Sequence, residues 1–274
     1  MATITRTEGL KEKRPLQPVT AGGWRRGFAN LLRKELGQWW GTKMWWVQLI
    51  IWVFLLNGIA AIMMITESQA GEVTTAELLQ EVVQTFLLMG ATVIGIGVVI
   101  TGQDAIVGEK QSGTAAWVMS KPASRPAFIL AKEITYVLGF GIVAIIVPTI
   151  ILIAESRLLV PLPLALPAFL AGVGLLALCV LFYLALTLML GTVFNSRGPI
   201  IGIGIAIILA GIFFKGMFPP AVLVVTPWLL PDISAGVALG TPLPENWLVH
   251  VAITGGWILV FSAVALWRFS REEF

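Results

Sequence analysis

The hydrophobic positions of this chain gather into six long runs separated by short polar stretches. The runs cover Met44 to Ile65, Val82 to Ile100, Ile134 to Ala154, Ala168 to Phe194, Pro199 to Phe214 and Leu248 to Trp267. A bilayer's hydrocarbon core is about 30 Å thick, so about 20 mostly apolar residues in a helix cross it. Backbone polar groups facing lipid must be paired within the segment, which makes such runs helices. A transmembrane barrel would alternate with period two, and no run does. The pattern predicts an all-α polytopic membrane protein whose six transmembrane helices occupy residues 44–267.

The polar stretches set the orientation. All eighteen Lys and Arg except Arg157 and Lys215 fall on one side of that alternation. Basic loops stay inside, so both termini are expected in the cytoplasm. Residues 1–23 contain Pro15, Pro18, Gly22 and Gly23 and read as a mobile cytoplasmic tail; residues 268–274 form a second tail. No cleavable signal sequence is expected, because the first apolar run starts only at Met44 and is too long for a signal core.

Between the first tail and the first span, Trp24, Phe28, Leu31, Leu32, Leu36, Trp39 and Trp40 recur at helical spacing, with Arg25, Arg26, Arg33 and Lys34 on the other face. This predicts an amphipathic helix over residues 24–43. A basic face opposite Trp and Leu suits a helix lying in the membrane interface, with Trp45 and Trp46 at the headgroup belt. A soluble helix packed on a partner is the alternative. In the first outer loop Thr74 and Glu77 form a capping box that starts the second span. Glu67, Glu72, Glu77 and Glu81 there read as a solvated outer face before a cation site.

Composition narrows the function. The chain is 57% hydrophobic and 12% charged, about half the charge of a soluble domain. That excludes a disordered chain, a nucleic-acid-binding domain and an ordinary cytosolic enzyme. One cysteine, Cys179, excludes a disulfide framework, and one histidine, His250, argues against a His-ligated metal. No metal site is expected. The spans are nearly free of ionisable residues, with Asp104, Glu109 and Glu133 placed at or beyond their cytoplasmic ends. No HExxH and no GxxxxGK[ST] occurs. A membrane-embedded enzyme is therefore disfavoured, and no nucleotide site of the P-loop kind exists in the chain.

Two further patterns stand out. Gly198, Gly202, Ala206 and Ala210 are small residues at four-residue spacing, a face that lets helices approach closely, within this chain or between copies. The cytoplasmic connection from Asp104 to Glu133 predicts a short helix over Thr114 to Ser120 that leaves Trp117 and Met119 exposed. Pro122 ends it, and Ser124-Arg125-Pro126 begins the next helix. Docking to a soluble partner and an ordinary loop both fit.

The order Asp104, Gly108-Glu109-Lys110, Gly113-Thr114, Ser120-Lys121-Pro122-Ala123-Ser124-Arg125 and Lys132 resembles the permeases of the ABC-2 type, the type-2 ABC exporters. Arg33-Lys34-Glu35-Leu36 resembles that family's opening helix, and Lys215 to Trp247, broken by Pro219, Pro220, Pro227 and Pro231, resembles its re-entrant outer segment. Two departures are Ala115-Ala116-Trp117 where the family often has leucines, and the lack of a large outer domain. The resemblance implies a permease subunit of an ATP-driven exporter in the inner (plasma) membrane of a prokaryote. It would pair with a second copy or a similar chain and with two ATPase subunits that hold the ATP and Mg. It further implies ATPase coupling through Glu109, Gly113, Thr114, Trp117, Met119, Ser120 and Arg125, with Glu109 and Arg125 bracing the coupling helix. Trp24, Phe28, Arg33, Lys34 and Leu36 would serve the interfacial helix, and Phe218, Pro219, Pro227 and Trp228 an exit gate. A membrane assembly subunit without transport is the rival reading.

Overall fold

The computed structural model describes residues 23–71 and 73–273, except for the side chain of Trp24. The expected tail over residues 1–23 lies outside them but for Gly23, as do Glu72 and Phe274. Among the described residues every regular element is helical. A 3₁₀ turn at Gly23–Arg25 leads into α1 (Phe28–Gly41). Then come α2 (Met44–Ala70), α3 (Thr75–Gln111), the short α4 (Thr114–Met119), α5 (Arg125–Leu158) and α6 (Leu166–Val193). The chain ends with α7 (Arg197–Phe214), the short α8 (Pro220–Val225) and α9 (Leu230–Leu239), and α10 (Trp247–Ser270). Six of these, α2, α3, α5, α6, α7 and α10, are long and apolar enough to cross a membrane.

Local chemistry sets the helix ends. Thr74 accepts from the Glu77 N–H while Glu77 accepts from the Thr74 N–H, the reciprocal cap read from the sequence. The Ser124 hydroxyl accepts from the Ala127 N–H and Pro126 sits in the first turn of α5. Gly113, at φ 72°, separates α3 from α4 in a conformation that costs a side-chain residue more than glycine.

Two helices run well past their apolar runs. α3 has 37 residues and α5 has 34, about 55 and 51 Å at 1.5 Å per residue. A nucleated helix gains one hydrogen bond for each residue added, so it continues through polar residues where the hydrophobic pattern stops. Asp104, Glu109 and Lys110 are carried at the end of α3, apart from a turn at Gln103, and Lys132 and Glu133 lie inside α5. The connection from Asp104 to Glu133, expected to hold one short helix and the start of the next, is thus mostly helix.

Both α2 and α5 widen into a π turn, at Val53–Asn57 and Gly141–Ile146, and each turn packs on the other helix. Pro148 cannot donate to the ladder just beyond the second. The Asn57 amide donates to the Pro148 carbonyl at 2.9 Å and to the Glu155 carboxylate at 3.3 Å, which joins the two helices at that level.

The helix α6 is apolar all round and forms the centre, against α3, α9 and α10. The approach of α9 is close enough that a Cβ on Gly172 would lie 2.6 Å from the Ser234 carbonyl oxygen, and Ser234 donates to the Gly172 carbonyl at 2.8 Å. α7 and α10 are peripheral, with most of their surface outside the core. One end of the bundle carries α1, α4 and most of the Lys and Arg and is called the basic end below.

Candidate functional site at the basic end

Three elements meet at the basic end around a set of paired charges, of which Glu35 and Lys132 are buried. Lys132 of α5 is 2% exposed. Its ammonium donates to Glu109 of α3 at 2.8 Å and to Glu35 of α1 at 3.1 Å. Lys34 of α1 donates to the same two carboxylates, at 2.8 Å to Glu109 and 2.9 Å to Glu35. Two cations and two anions thus alternate, with no net charge. Each charge meets two opposite ones, which is what offsets the cost of removing Glu35 and Lys132 from water. Burial pulls the Lys34 pKa down, but the hydrogen bonds it donates to Glu109 and Glu35 and their negative charges outweigh it and hold the ammonium above its usual value.

Packing docks α1 beside these charges. The Trp39 indole lies against Gly139 of α5 so closely that a Cβ there would fall 2.2 Å from the ring. It meets Tyr136 and Phe140 edge-on at 5.0 and 5.5 Å. Between α1, α3 and α5 remains a cavity of about 530 Å³ that reaches Gln48, Thr135 and the charge cluster, with Arg197 and Asp104 paired at 2.8 Å on its rim.

Next to the cluster, α4 is held by buried Ala115 and Val118, and Met119 is half-buried against the core. Its outer face carries Trp117, 64% exposed, with the Lys121 ammonium 4.9 Å from the ring. Thr114 Oγ1 lies 2.9 Å from the Ser112 hydroxyl, and Ser120 donates to the Trp117 carbonyl. The short helix thus has an inward aliphatic side packed on the core and an outward indole.

At the opposite end the chain between α7 and α10 folds back in short helices. The Trp228 indole donates to the Ile207 carbonyl at 2.9 Å, lies 5.1 Å from the Phe218 ring and covers Gly211. Pro227 is buried, Pro219 precedes α8, and Lys215 pairs with Asp232 at 2.6 Å.

Comparison with protein families decides what this arrangement belongs to. The model of the family described as ABC-2 family transporter protein matches residues 29–274. The chain belongs to the ABC-2 transporter family. Comparison with curated proteins found no match. This ABC-2 chain is therefore a multi-pass membrane component of an ABC transporter, the transport part and not the catalytic one.

The residues singled out in the ABC-2 sequence take these places. Gly113, Thr114, Trp117 and Ser120 lie on one projection, while Met119, expected to be exposed beside Trp117, is half-buried against the core. Glu109 does not brace it: its carboxylate bridges Lys34 and Lys132. Arg125 donates to the Ser270 carbonyl and ties the start of α5 to the end of α10. Lys34, expected on a basic face away from the bundle, turns into the charge cluster, while Arg33 is exposed and Phe28 and Leu36 are half-buried. Gly198 and Gly202 have no atom within 4 Å of an added Cβ, and Ala206 is exposed, so within this chain the stripe is unused. α7 packs inward through Ile200, Gly204, Ile208 and Gly211 instead. His250 and Cys179 are both buried, His250 with Nδ1 unpartnered.

Sequence reasoning missed the cluster. Glu35 lies on the buried side of α1, and Lys132 lies seven residues beyond Arg125, inside α5. The available signal was a charge at an apolar position of each amphipathic pattern.

Proposed function

We propose that this ABC-2 chain is the permease subunit of an ATP-driven exporter in a prokaryotic plasma membrane. Its basic end faces the cytoplasm and α4 is the coupling helix. The observation that carries the reading is the exposed Trp117 on a short helix whose other side is packed into the core. An ATPase can drive the spans only through a contact that does not give way, and α4 has such a base. The charge cluster links α1, α3 and α5 immediately behind it, so a push on α4 reaches three elements together. ATP and Mg belong to two ATPase subunits, since no P-loop exists in this chain.

A second copy would cover the small-residue face of α7, which nothing covers within one chain. The path then runs between copies, and the segment with Phe218, Pro219, Pro227 and Trp228 re-enters the outer leaflet and closes its exit. α1 lies along the inner leaflet.

The test is co-purification with the ATPase encoded beside this gene, with ATP hydrolysis measured on the complex. Trp117→Ala should weaken association roughly tenfold or more, since large aromatic anchors cost about 2 kcal/mol or more on truncation. Undiminished association moves the contact to α1, and an ATPase that never co-purifies with the parent overturns the reading. Gly202→Leu should leave the single chain folded and weaken pairing of copies.

A further inference from the structure

On the side of α5 away from the charge cluster lies a groove of about 330 Å³ between α5, α6 and α10. Its walls are apolar, among them Val137, Leu138, Leu181, Leu184 and Ile258. The exceptions are one carboxylate, Glu133, and one hydroxyl, Ser262, which lie beside each other in the groove. Glu133 Oε1 is buried without a partner. The adjacent Lys132 points away, to Glu35 and Glu109, and no ion pair among the described residues reaches Glu133.

The depth of this carboxylate follows from the pairing of α5 with α10. Arg125 meets Ser270, the Phe128 and Phe269 rings stack at 4.8 Å, and Glu133 meets Ser262. The two helices thus run antiparallel in step. Glu133 lies about 12 Å along the axis from the start of α5, and Ser262 about 8 Å on the bilayer side of Trp267, at 1.5 Å per residue. The carboxylate thus lies within the long apolar helix α5, on the bilayer side of Trp267. An ionisable residue there is expensive and points to a function with a definable partner.

From this groove we infer a binding site for a hydrophobic monocation, an amine or onium whose charge rests against Glu133 and whose apolar body fills the remainder. No cation lines the groove among the described residues, so the phosphate of a zwitterionic lipid head would enter it unpaired. The exposed Ile134, Val137 and Leu138 form the mouth, on the lipid side of α5, so the ligand arrives from the bilayer. The cavity behind α1 differs in kind, since all of its charges are already paired.

Equilibrium binding of radiolabelled tetraphenylphosphonium to the purified full chain in nanodiscs tests this. Saturable binding of about one per chain is expected, while tetraphenylborate, alike in shape and opposite in charge, should not compete. Glu133→Gln should weaken the phosphonium at least tenfold, with Glu81→Gln, an exposed acid at the other end, as the unaffected control. Leu138→Trp narrows the mouth without touching the carboxylate and should also reduce binding, so the conclusion does not depend on one variant. Absence of saturable binding, equal binding by Glu133→Gln, or competition by the borate overturns the proposal. The assay needs no ATPase, so its failure leaves the permease reading standing.

Discussion

Lys132 and Glu133 are neighbours on one helix and live in opposite electrostatic worlds. Lys132 faces α1 and α3 and is held by two carboxylates, each shared with Lys34. Glu133 faces α6 and α10 and has one hydroxyl among aliphatic side chains. A helix turns about 100° per residue, so adjacent positions reach different elements. The first charge is a structural joint, because removing it strands its partners. The second holds nothing electrostatic in place, so its cost is accepted for another reason. The difference shows that burial of a charge is not itself a sign of function: what matters is whether the chain supplies the counter-charge.

The sharpest way to break the contrast is Lys132→Met. It leaves Glu35 and Glu109 to share Lys34, which is itself more than a third exposed on its side chain. Breaking a buried pair costs about 3–5 kcal/mol, and thermal unfolding of the detergent-solubilised chain should show that loss. A tolerated Lys132→Met would mean that the cluster is a bystander. Next in size is Gly139→Ala, where the new Cβ meets the Trp39 indole at 2.2 Å. Overpacking of this kind costs about 1–3 kcal/mol. Proteolysis should cut near α1 sooner in this variant than in the parent.

A double-mutant cycle between Lys132→Met and Glu35→Gln sharpens the point. Contacting charges in one network couple by about 0.5–3 kcal/mol, so the pair of changes should cost less than their separate effects added. Additive losses would show that the two residues act independently. The smallest effect belongs to Glu133→Gln. With no cationic partner lost, unfolding should move by no more than about 0.5 kcal/mol, or toward greater stability, measured beside Lys132→Met under the same conditions. A loss of several kcal/mol would place Glu133 among the structural charges.

Much of the fold was legible because lipid imposes a simple rule on sequence. Six apolar runs gave six helices, and the caps at Thr74 and Ser124 and the short helix over Thr114 to Met119 fall where local chemistry puts them. The stripe of small residues on α7 was legible as a pattern, but its use was not, since spacing shows a flat face and not what covers it. The site was less legible. Glu109 and Arg125 were picked out as charges near α4, yet they bind other partners, because a long side chain's partner depends on which helices lie beside it.

By itself the sequence determined that this is a six-helix membrane protein of the ABC-2 family with an amphipathic first helix and a projecting aromatic at Trp117. The spans, the amphipathic helix and the short projecting helix depend on hydropathy, helical period and end caps, which act locally along the chain, while the family rests on the motif from Asp104 to Lys132 and on the match over residues 29–274. The tertiary structure alone decided that Lys34, Glu35, Glu109 and Lys132 meet, and that Glu133 turns from them into an apolar groove. Glu35 and Lys132 are 97 positions apart. Such a contact depends on how α1, α3 and α5 pack and rotate, which no local pattern encodes.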